Sequence, residues 1–133
     1  MRTVFADTFY WIALTSPADA AHDLARQIKD DIVTTDEVLT EYLTFFCGGP
    51  EYLRRKAAAN AENILRDPSV RVLPQSRDSF LAGLKLYGER PDKGYSLVDC
   101  ISMQTMRREE ISDVLTNDRH FEQEGFRALF RDS

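Results

Sequence analysis

The sequence has few of the residues that cross-link small extracellular folds or bind zinc. Its 133 residues include two cysteines, Cys47 and Cys100, and two histidines. The cysteines lie far apart, form no Cys-x-x-Cys motif and have no histidine cluster beside them, which argues against a disulfide framework and against a zinc site. We therefore expect two buried free thiols in a protein of the reducing cytoplasm.

Long hydrophobic runs are also absent. No segment approaches the roughly 18 consecutive apolar residues that a membrane-spanning helix requires. Near the start of the chain Asp7 interrupts the apolar stretch, and residues 9–14 are too few for the core of an export signal. We expect no association with a membrane.

Strong compositional bias is equally lacking. Six glycines, five prolines and no sustained heptad repeat exclude collagen-like and coiled-coil proteins, and eight Phe with five Tyr exclude a disordered chain. A folded chain of this length hides roughly two thirds of the surface that its unfolded form exposes, so a core can form without cross-links. We expect one domain that spans residues 1–133.

Charge is unevenly distributed along a chain whose net charge is −5. Residues 1–50 carry eight acids and three bases, residues 51–95 carry six acids and nine bases, and residues 96–133 carry eight acids and five bases. A basic segment can bind phosphates even in an acidic protein. Solvated helix faces with scattered charges explain the same pattern equally well.

Short apolar segments alternate with helical segments throughout the chain. The predicted strands cover residues 3–6, 32–34, 70–73, 113–115 and 127–130. Five helices are predicted. The first follows Ser16 and ends at about residue 30, and the second follows a Thr34/Glu37 capping box and ends at residue 46. The others are residues 51–66, the segment from Ser76 to about residue 87, and the segment from Ser96 to residue 108. This alternation predicts a three-layer α/β/α fold with a short parallel sheet of about five strands.

Four carboxylates occupy related places in this pattern. Asp7 follows the first strand, Asp118 follows the fourth, Glu41 lies one to two turns into the helix after the second strand, and Asp99 lies in the first turn of the helix before the fourth. Right-handed crossovers bring the carboxyl ends of parallel strands to one edge of the sheet. We therefore expect these four side chains to face one point.

Four carboxylates at close range repel one another and raise each other's pKa, a configuration that a divalent cation neutralises. Oxygen ligands favour Mg²⁺ or Mn²⁺ over zinc. Such ions activate water and stabilise a leaving oxygen in phosphodiester hydrolysis. The pattern thus predicts a metal-dependent nuclease site.

The segments around these acids resemble the four acidic motifs of PIN-domain ribonucleases, and most closely those of VapC-type toxins from toxin–antitoxin pairs. The matching segments, in family order, are VFADTFYWIAL, VTTDEVLTEYLTFF, YSLVDCISMQTM and LTNDRHFEQEGF. Each motif alone is weak, whereas four in order over nearly the whole length are specific. Residues 51–91 match no motif, which leaves RNA specificity unassigned.

The resemblance implies a PIN-like five-stranded sheet and an Mg²⁺- or Mn²⁺-dependent endoribonuclease that acts on structured RNA such as tRNA. It also implies a homodimer that a small cognate antitoxin neutralises. The implied catalytic and metal-binding residues are Asp7, Glu41, Asp99 and Asp118, and the hydroxyls implied to orient them are Thr8, Ser96 and Thr116.

Other polar residues near these motifs have competing interpretations. Glu37 is four residues before Glu41 and could extend the metal site, but its place in the capping box favours a structural role. His120 adjoins Asp118 and could act as a general acid, but a packing or surface role is favoured because metals can supply that chemistry. Four cations could contact RNA phosphates or could simply be solvated: Lys85, Arg90, Lys93 and Arg119.

Two other functions remain open. A catalytically inactive PIN-like interaction module would bind partners without cleaving RNA, although the four intact acids count against it. An aspartyl-phosphate domain also places an Asp after its first strand. Phosphatases of that kind carry a second Asp two positions later, where Phe9 stands here, and receiver domains carry an acidic pair where Asp7 is alone.

Overall fold

The computed structural model describes residues 2–131 and contains a five-stranded sheet in which every neighbouring pair is parallel. The strand order is β3-β2-β1-β4-β5. The strands are β1 (Thr3–Ala6), β2 (Asp31–Thr35), β3 (Val70–Leu73), β4 (Asp113–Leu115) and β5 (Arg127–Ala128). The predicted α/β fold with a short parallel sheet is confirmed.

Helices connect and cover the strands. Within residues 2–131 they are α1 (Thr8–Thr15), α2 (His22–Arg26), α3 (Asp36–Phe46), α4 (Glu51–Arg66), α5 (Arg77–Glu89), α6 (Leu97–Arg108) and α7 (Arg119–Gln123). The central strands are apolar and almost fully buried, as in a parallel sheet with helices on both faces. Val4, Phe5 and Val114 have no exposed surface. No helix in the described part of the chain is long and apolar enough to cross a bilayer.

The predicted helix after Ser16 is wrong in its start and its length. The Ser16 amide donates to the Ile12 carbonyl and so closes α1, and the Asp19 side chain accepts from the amide of Ala21. These bonds form turns between α1 and α2, and Ser16 does not cap a helix. Consequently α2 begins only at His22 and contains five residues.

The predicted capping box of α3 is wrong by one residue. Thr35 is the N-cap, and its hydroxyl accepts from the Val38 amide at 3.1 Å. Thr34 instead donates its hydroxyl to the Ala6 carbonyl and so ties β2 to β1. Glu37 is therefore free of capping and accepts a hydrogen bond from Ser79 Oγ at 2.8 Å.

Three further expectations need correction. Cys100 is buried as expected, but Cys47 is exposed because it lies at the end of α3, where the chain turns toward α4. The fifth strand is shorter than predicted, because turns follow Ala128. The sequence reading also missed α7, whose five residues are too few for a helical period to be visible.

A close crossing of α5 and α6 fixes the position of the helix that carries Asp99. A Cβ atom at Gly83 would lie 2.3 Å from Ile101 Cγ1 and 3.1 Å from the Ile101 amide nitrogen. With a Cβ atom at this position the Ile101 side chain would have to move, and the distance to the Ile101 backbone is tighter than most Cβ contacts, so glycine permits this approach without rearrangement. The position of α6 therefore depends on Gly83 of α5 having no side chain.

Gly83→Ala tests this crossing. We expect the substitution to lower the free energy of unfolding by about 1–3 kcal/mol, because the added methyl group overpacks the helix contact. Gly88→Ala is the matched control on the same helix, where a Cβ atom meets nothing within 4 Å. It should raise stability by about 0.5–1 kcal/mol. Urea denaturation measures both, and equal effects of the two variants would contradict the assignment.

Candidate metal centre

The candidate site lies where the chain order of the sheet reverses. From β1 the chain proceeds to β2 and β3 on one side, and then returns to β4 on the other side of β1. Parallel α/β sheets form a crevice at such a switch point, at the carboxyl ends of the strands. Ala6 pairs with Leu115, so Asp7 and Thr116 emerge side by side at this edge.

Asp7 is the most buried acid of the site, with 7% of its surface exposed. Thr116 Oγ1 donates to Asp7 Oδ2 at 2.8 Å. Burial raises the pKa of Asp7 to about 7, and the negative charges of Asp99 and Glu41 act in the same direction, against the hydrogen bonds from Thr116 and Thr8. The pKa of Asp7 therefore responds to two other acids of the site.

Glu41 approaches the site from α3. It is half-buried, and Thr8 Oγ1 donates to its Oε1 at 2.5 Å. Thr8 is the first residue of α1, directly after Asp7, so this bond joins the start of α1 to the second turn of α3. The hydrogen bond from Thr34 to Ala6 and the N-cap of α3 set the start of that helix relative to β1. A chain of hydroxyl contacts therefore places Glu41 beside Asp7.

Asp99 enters the site through a complete capping box. Its amide donates to Ser96 Oγ at 3.0 Å, and its Oδ2 accepts from the Ser96 amide at 3.0 Å. Burial raises the pKa of Asp99 despite these bonds, and the charges of Asp118 and Glu41 add to the increase. The cap fixes the carboxylate in the first turn of α6, where it faces the other acids.

Asp118 is the N-cap of α7. Its Oδ1 accepts from the His120 amide at 2.9 Å, and its own amide donates to Thr116 Oγ1 at 3.2 Å. The same threonine therefore contacts Asp7 and Asp118. The four predicted acids lie at this edge of the sheet, where the charges of Asp99 and Glu41 act on Asp7, and those of Asp118 and Glu41 act on Asp99. Each of the predicted hydroxyls contacts at least one of these acids. Of the four, Asp99 and Asp118 belong to a group of described ligands whose donor atoms all lie within 4.8 Å of one another.

His120 also lies at this site, although the sequence favoured a packing or surface role for this residue. Its Nδ1 is 3.2 Å from Asp118 Oδ1 and 3.9 Å from Asp99 Oδ2. Ligand atoms of these three residues lie within 4.8 Å of one another. The Asp-x-His spacing across the first turn of a helix was a local signal for this arrangement, but the approach of Asp99 depends on the packing of α6.

The donor set fits a divalent cation. None of the four carboxylates forms an ion pair with lysine or arginine within residues 2–131. In addition, His120 Nδ1 is buried there and has no hydrogen-bond partner. Uncompensated carboxylates beside an unpartnered nitrogen are what a cation of charge +2 would neutralise and coordinate.

The four predicted RNA-contacting cations differ in their surroundings. Lys85 pairs with Glu89 at 2.6 Å, and Arg90 makes a two-point ion pair with Glu124. The other two, Lys93 and Arg119, are exposed and form no ion pair with any described residue. Of the four predicted cations, only Lys93 and Arg119 present an uncompensated charge to solvent, and Arg119 directly follows Asp118, an acid of the site.

Comparison with known proteins identifies the family. The PIN-domain family model matches residues 4–126, and the chain therefore belongs to the PIN-domain family. Two curated relatives, the 23S rRNA-specific endonuclease VapC20 from two strains of Mycobacterium tuberculosis, are each 30% identical to it over 130 residues. The alignment covers 92% of this chain and 95% of each relative.

Solved structures agree with this assignment. The crystal structure of Mycobacterium tuberculosis VapC20, described as a sarcin–ricin loop cleaving toxin, superposes with a TM-score of 0.81 at 28% identity and covers 92% of this chain and 95% of its own. FitAcB from Neisseria gonorrhoeae superposes with a TM-score of 0.65 at 16% identity, covering 94% and 95%. The second likeness concerns the fold alone.

The raised pKa of Asp7 predicts how stability depends on pH without metal. Because the folded state holds a proton that the unfolded state releases at its ordinary pKa of 3.8, the stabilisation is fully present below that pH and is lost as pH rises to about 7. Each pKa unit corresponds to roughly 1.4 kcal/mol. Between pH 4 and 7 in EDTA, the wild type should therefore lose stability that Asp7→Asn retains.

Urea denaturation across this pH range measures the difference. Asp23→Asn, at an exposed acid on α2, is the control and should follow the wild type. Mg²⁺ or Mn²⁺ at pH 7 should restore stability to the wild type more than to Asp7→Asn, since binding to the folded state adds to its stability. Parallel curves for wild type and Asp7→Asn would refute this role of Asp7.

Proposed function

We propose that this PIN-domain protein is a metal-dependent endoribonuclease and the toxin of a toxin–antitoxin pair. The observation that carries the proposal is the convergence of four carboxylates at the switch point, where burial and mutual repulsion raise the pKa of Asp7 and Asp99. Such a site is unfavourable for stability and useful for binding a cation. Similarity over most of the chain to an endonuclease toxin supports the same activity.

The residues that hold the cation in this proposal are Asp7, Glu41, Asp99 and Asp118. When bound, a divalent cation supplies activation of a water nucleophile and stabilisation of the leaving oxygen. We propose Mg²⁺ or Mn²⁺ because carboxylate oxygens suit these ions. Thr8 and Thr116 orient Glu41 and Asp7 by donating to them, and Ser96 fixes Asp99 through the cap of α6.

The proposed substrate is structured RNA. The relative VapC20 is described as specific for 23S rRNA and as cleaving the sarcin–ricin loop, which makes that loop the first candidate here and tRNA the second. Recognition of RNA sequence usually targets loops, whose bases can be splayed out. Lys93 and Arg119 are the cations that we assign to backbone phosphates, because neither has an ion-pair partner among the described residues.

The proposed protein partners are a small cognate antitoxin and a second copy of the chain. Support comes from α5, where four large apolar side chains are exposed: Phe80, Leu81, Leu84 and Tyr87. An apolar row of this kind on one helix is typical of a protein–protein contact. A catalytically inactive module would share such contacts, so cleavage of RNA separates the two functions.

Removal of one ligand charge should abolish cleavage. We expect Asp7→Asn, Glu41→Gln, Asp99→Asn and Asp118→Asn each to lower the cleavage rate by orders of magnitude while the fold is retained, because each removes a charge and little volume. In Asp99→Asn the side-chain carbonyl can still accept the hydrogen bond from the Ser96 amide. The substrates are ribosomes, a sarcin–ricin loop oligonucleotide and total tRNA, each with Mg²⁺, with Mn²⁺ and with EDTA.

Glu62→Gln, at an exposed acid of α4, is the control and should cleave as the wild type does. Wild-type rates in two or more folded variants of the cluster would refute the proposed site. A wild-type protein that binds RNA but cleaves none of the three substrates with either ion would favour the inactive module.

Removal of the positive charges of Lys93 and Arg119 should weaken RNA binding. We expect Lys93→Ala with Arg119→Ala to lower affinity for all RNA sequences and to flatten the dependence of log K on log salt, because fewer counterions are released. Lys29→Ala is the control, since Lys29 lies two residues before β2 and hence at the opposite edge of the sheet. Binding is measured over a salt series in Ca²⁺, a cation that takes oxygen ligands. Equal slopes for the double variant and the control would reject this assignment.

A further inference from the structure

We propose that His120 is itself a ligand of the metal ion, so that the centre offers a nitrogen donor beside Asp99 and Asp118. The inference rests on the proposed function in that it requires a cation at the acidic cluster. It adds a donor of a different chemical kind, with consequences for which metal the protein prefers. The support comes from the position, burial and surroundings of the imidazole ring.

The Nδ1 atom of His120 is buried and has no hydrogen-bond partner, although 28% of the side chain is exposed. A buried polar atom without a partner costs free energy and is rare in folded proteins. Asp118 Oδ1 is only 3.2 Å away, yet the two atoms are not oriented for a hydrogen bond. When the ring carries its hydrogen on Nε2, Nδ1 has a lone pair beside these two carboxylates, and a cation is its natural partner.

The separations of the donor atoms suit ligands of one ion. With bonds of about 2.1 Å, two octahedral ligands lie about 3.0 Å apart when adjacent and about 4.2 Å apart when opposite. Nδ1 is 3.2 Å from Asp118 Oδ1 and 3.9 Å from Asp99 Oδ2, between these limits. Small side-chain movements are therefore enough for the three atoms to share an ion.

Neighbouring side chains also hold the imidazole ring in place. Tyr95 contacts the imidazole edge-on, with ring centroids 5.3 Å apart, and its hydroxyl donates to Glu124 Oε2 at 3.0 Å. Glu124 is in turn fixed by Arg90 and by Arg107, whose Nη2 lies 2.8 Å from Oε1. A ligand needs this kind of support, because a fixed ring keeps its nitrogen aimed at the ion.

A nitrogen donor changes the selectivity of the centre. Imidazole binds the transition metals well, whereas Mg²⁺ favours oxygen ligands. With His120 as ligand, affinity should rise from Mg²⁺ to Mn²⁺ to Co²⁺ more steeply than four carboxylates alone would give. As a ligand through Nδ1, the ring would carry its hydrogen on Nε2.

Pulsed electron paramagnetic resonance of bound Mn²⁺ tests the ligand directly. The measurement detects magnetic coupling between the ion and a coordinated imidazole nitrogen, and it requires no RNA and no catalysis. The chain has two histidines, and the other, His22, bonds through Nδ1 to the Ala13 carbonyl at 2.7 Å. The protein is prepared without a histidine tag so that only these two rings can contribute.

We expect nitrogen coupling in the wild type and in the His22→Asn control, and no coupling in His120→Asn. Labelling the wild type with ¹⁵N-histidine should change the coupling to that of ¹⁵N, which tests the ligand even if a variant does not fold. Bound Mn²⁺ without histidine coupling would overturn the inference, as would coupling that persists in folded His120→Asn. Mn²⁺ that fails to bind at all would overturn both this inference and the proposed metal centre.

Metal affinity provides a second, independent readout. By calorimetry, His120→Asn should weaken binding of Co²⁺ and Mn²⁺ by on the order of ten- to hundredfold, the range found when groups around a metal are removed. The affinity for Mg²⁺ should change less. Equal losses for all three ions would contradict a nitrogen ligand. RNA cleavage with Mg²⁺ that persists in this variant would leave the proposed function intact, so the two proposals fail separately.

Discussion

Repulsion among four carboxylates at one edge of a buried sheet is the constraint on which the rest of this structure depends. The effect is clearest for Asp7 and Asp99, whose pKa values are raised because burial removes them from water and neighbouring charges oppose their ionisation. In most proteins lysine or arginine would compensate such a group. Here, within residues 2–131, the acids receive hydrogen bonds from neutral hydroxyls, which leave the negative charge available to a cation.

The fold supplies the rigidity that this arrangement requires. Thr34 ties β2 to β1, Thr8 ties α1 to α3, and Thr116 contacts acids on both sides of the switch point. Each donor is an uncharged hydroxyl, so the bonds from Thr8 and Thr116 position a carboxylate without neutralising its charge. The close contact between Gly83 and Ile101 then sets α6 against the rest of the site. The site therefore depends on packing that extends well beyond its ligands.

Sequence patterns predicted the parts of this structure that local chemistry determines. The first four strands and the caps at Ser76 and Ser96 depend on residues near in sequence, and the structure contains them close to where the patterns indicate. Errors arose where a tertiary contact decided between local alternatives. Thr34 and Thr35 can each cap a helix, and the bond from Thr34 to a distant carbonyl in β1 settles the choice. His120 likewise comes within 3.9 Å of Asp99 through tertiary structure, because the two residues lie on different helices.

Two buried carboxylates in this chain illustrate how surroundings decide the role of an acid. Burial acts to raise the pKa of Glu124, but hydrogen bonds from Arg90, Arg107 and Tyr95 outweigh it and hold that pKa at about 2. Asp7 has no cation beside it, and its pKa is raised to about 7. Glu124 is thus fully satisfied by protein donors and has no capacity left for a metal. Arg90 and Arg107 are engaged with Glu124 next to Tyr95, which contacts the imidazole ring, and neither forms an ion pair with any of the four acids of the site.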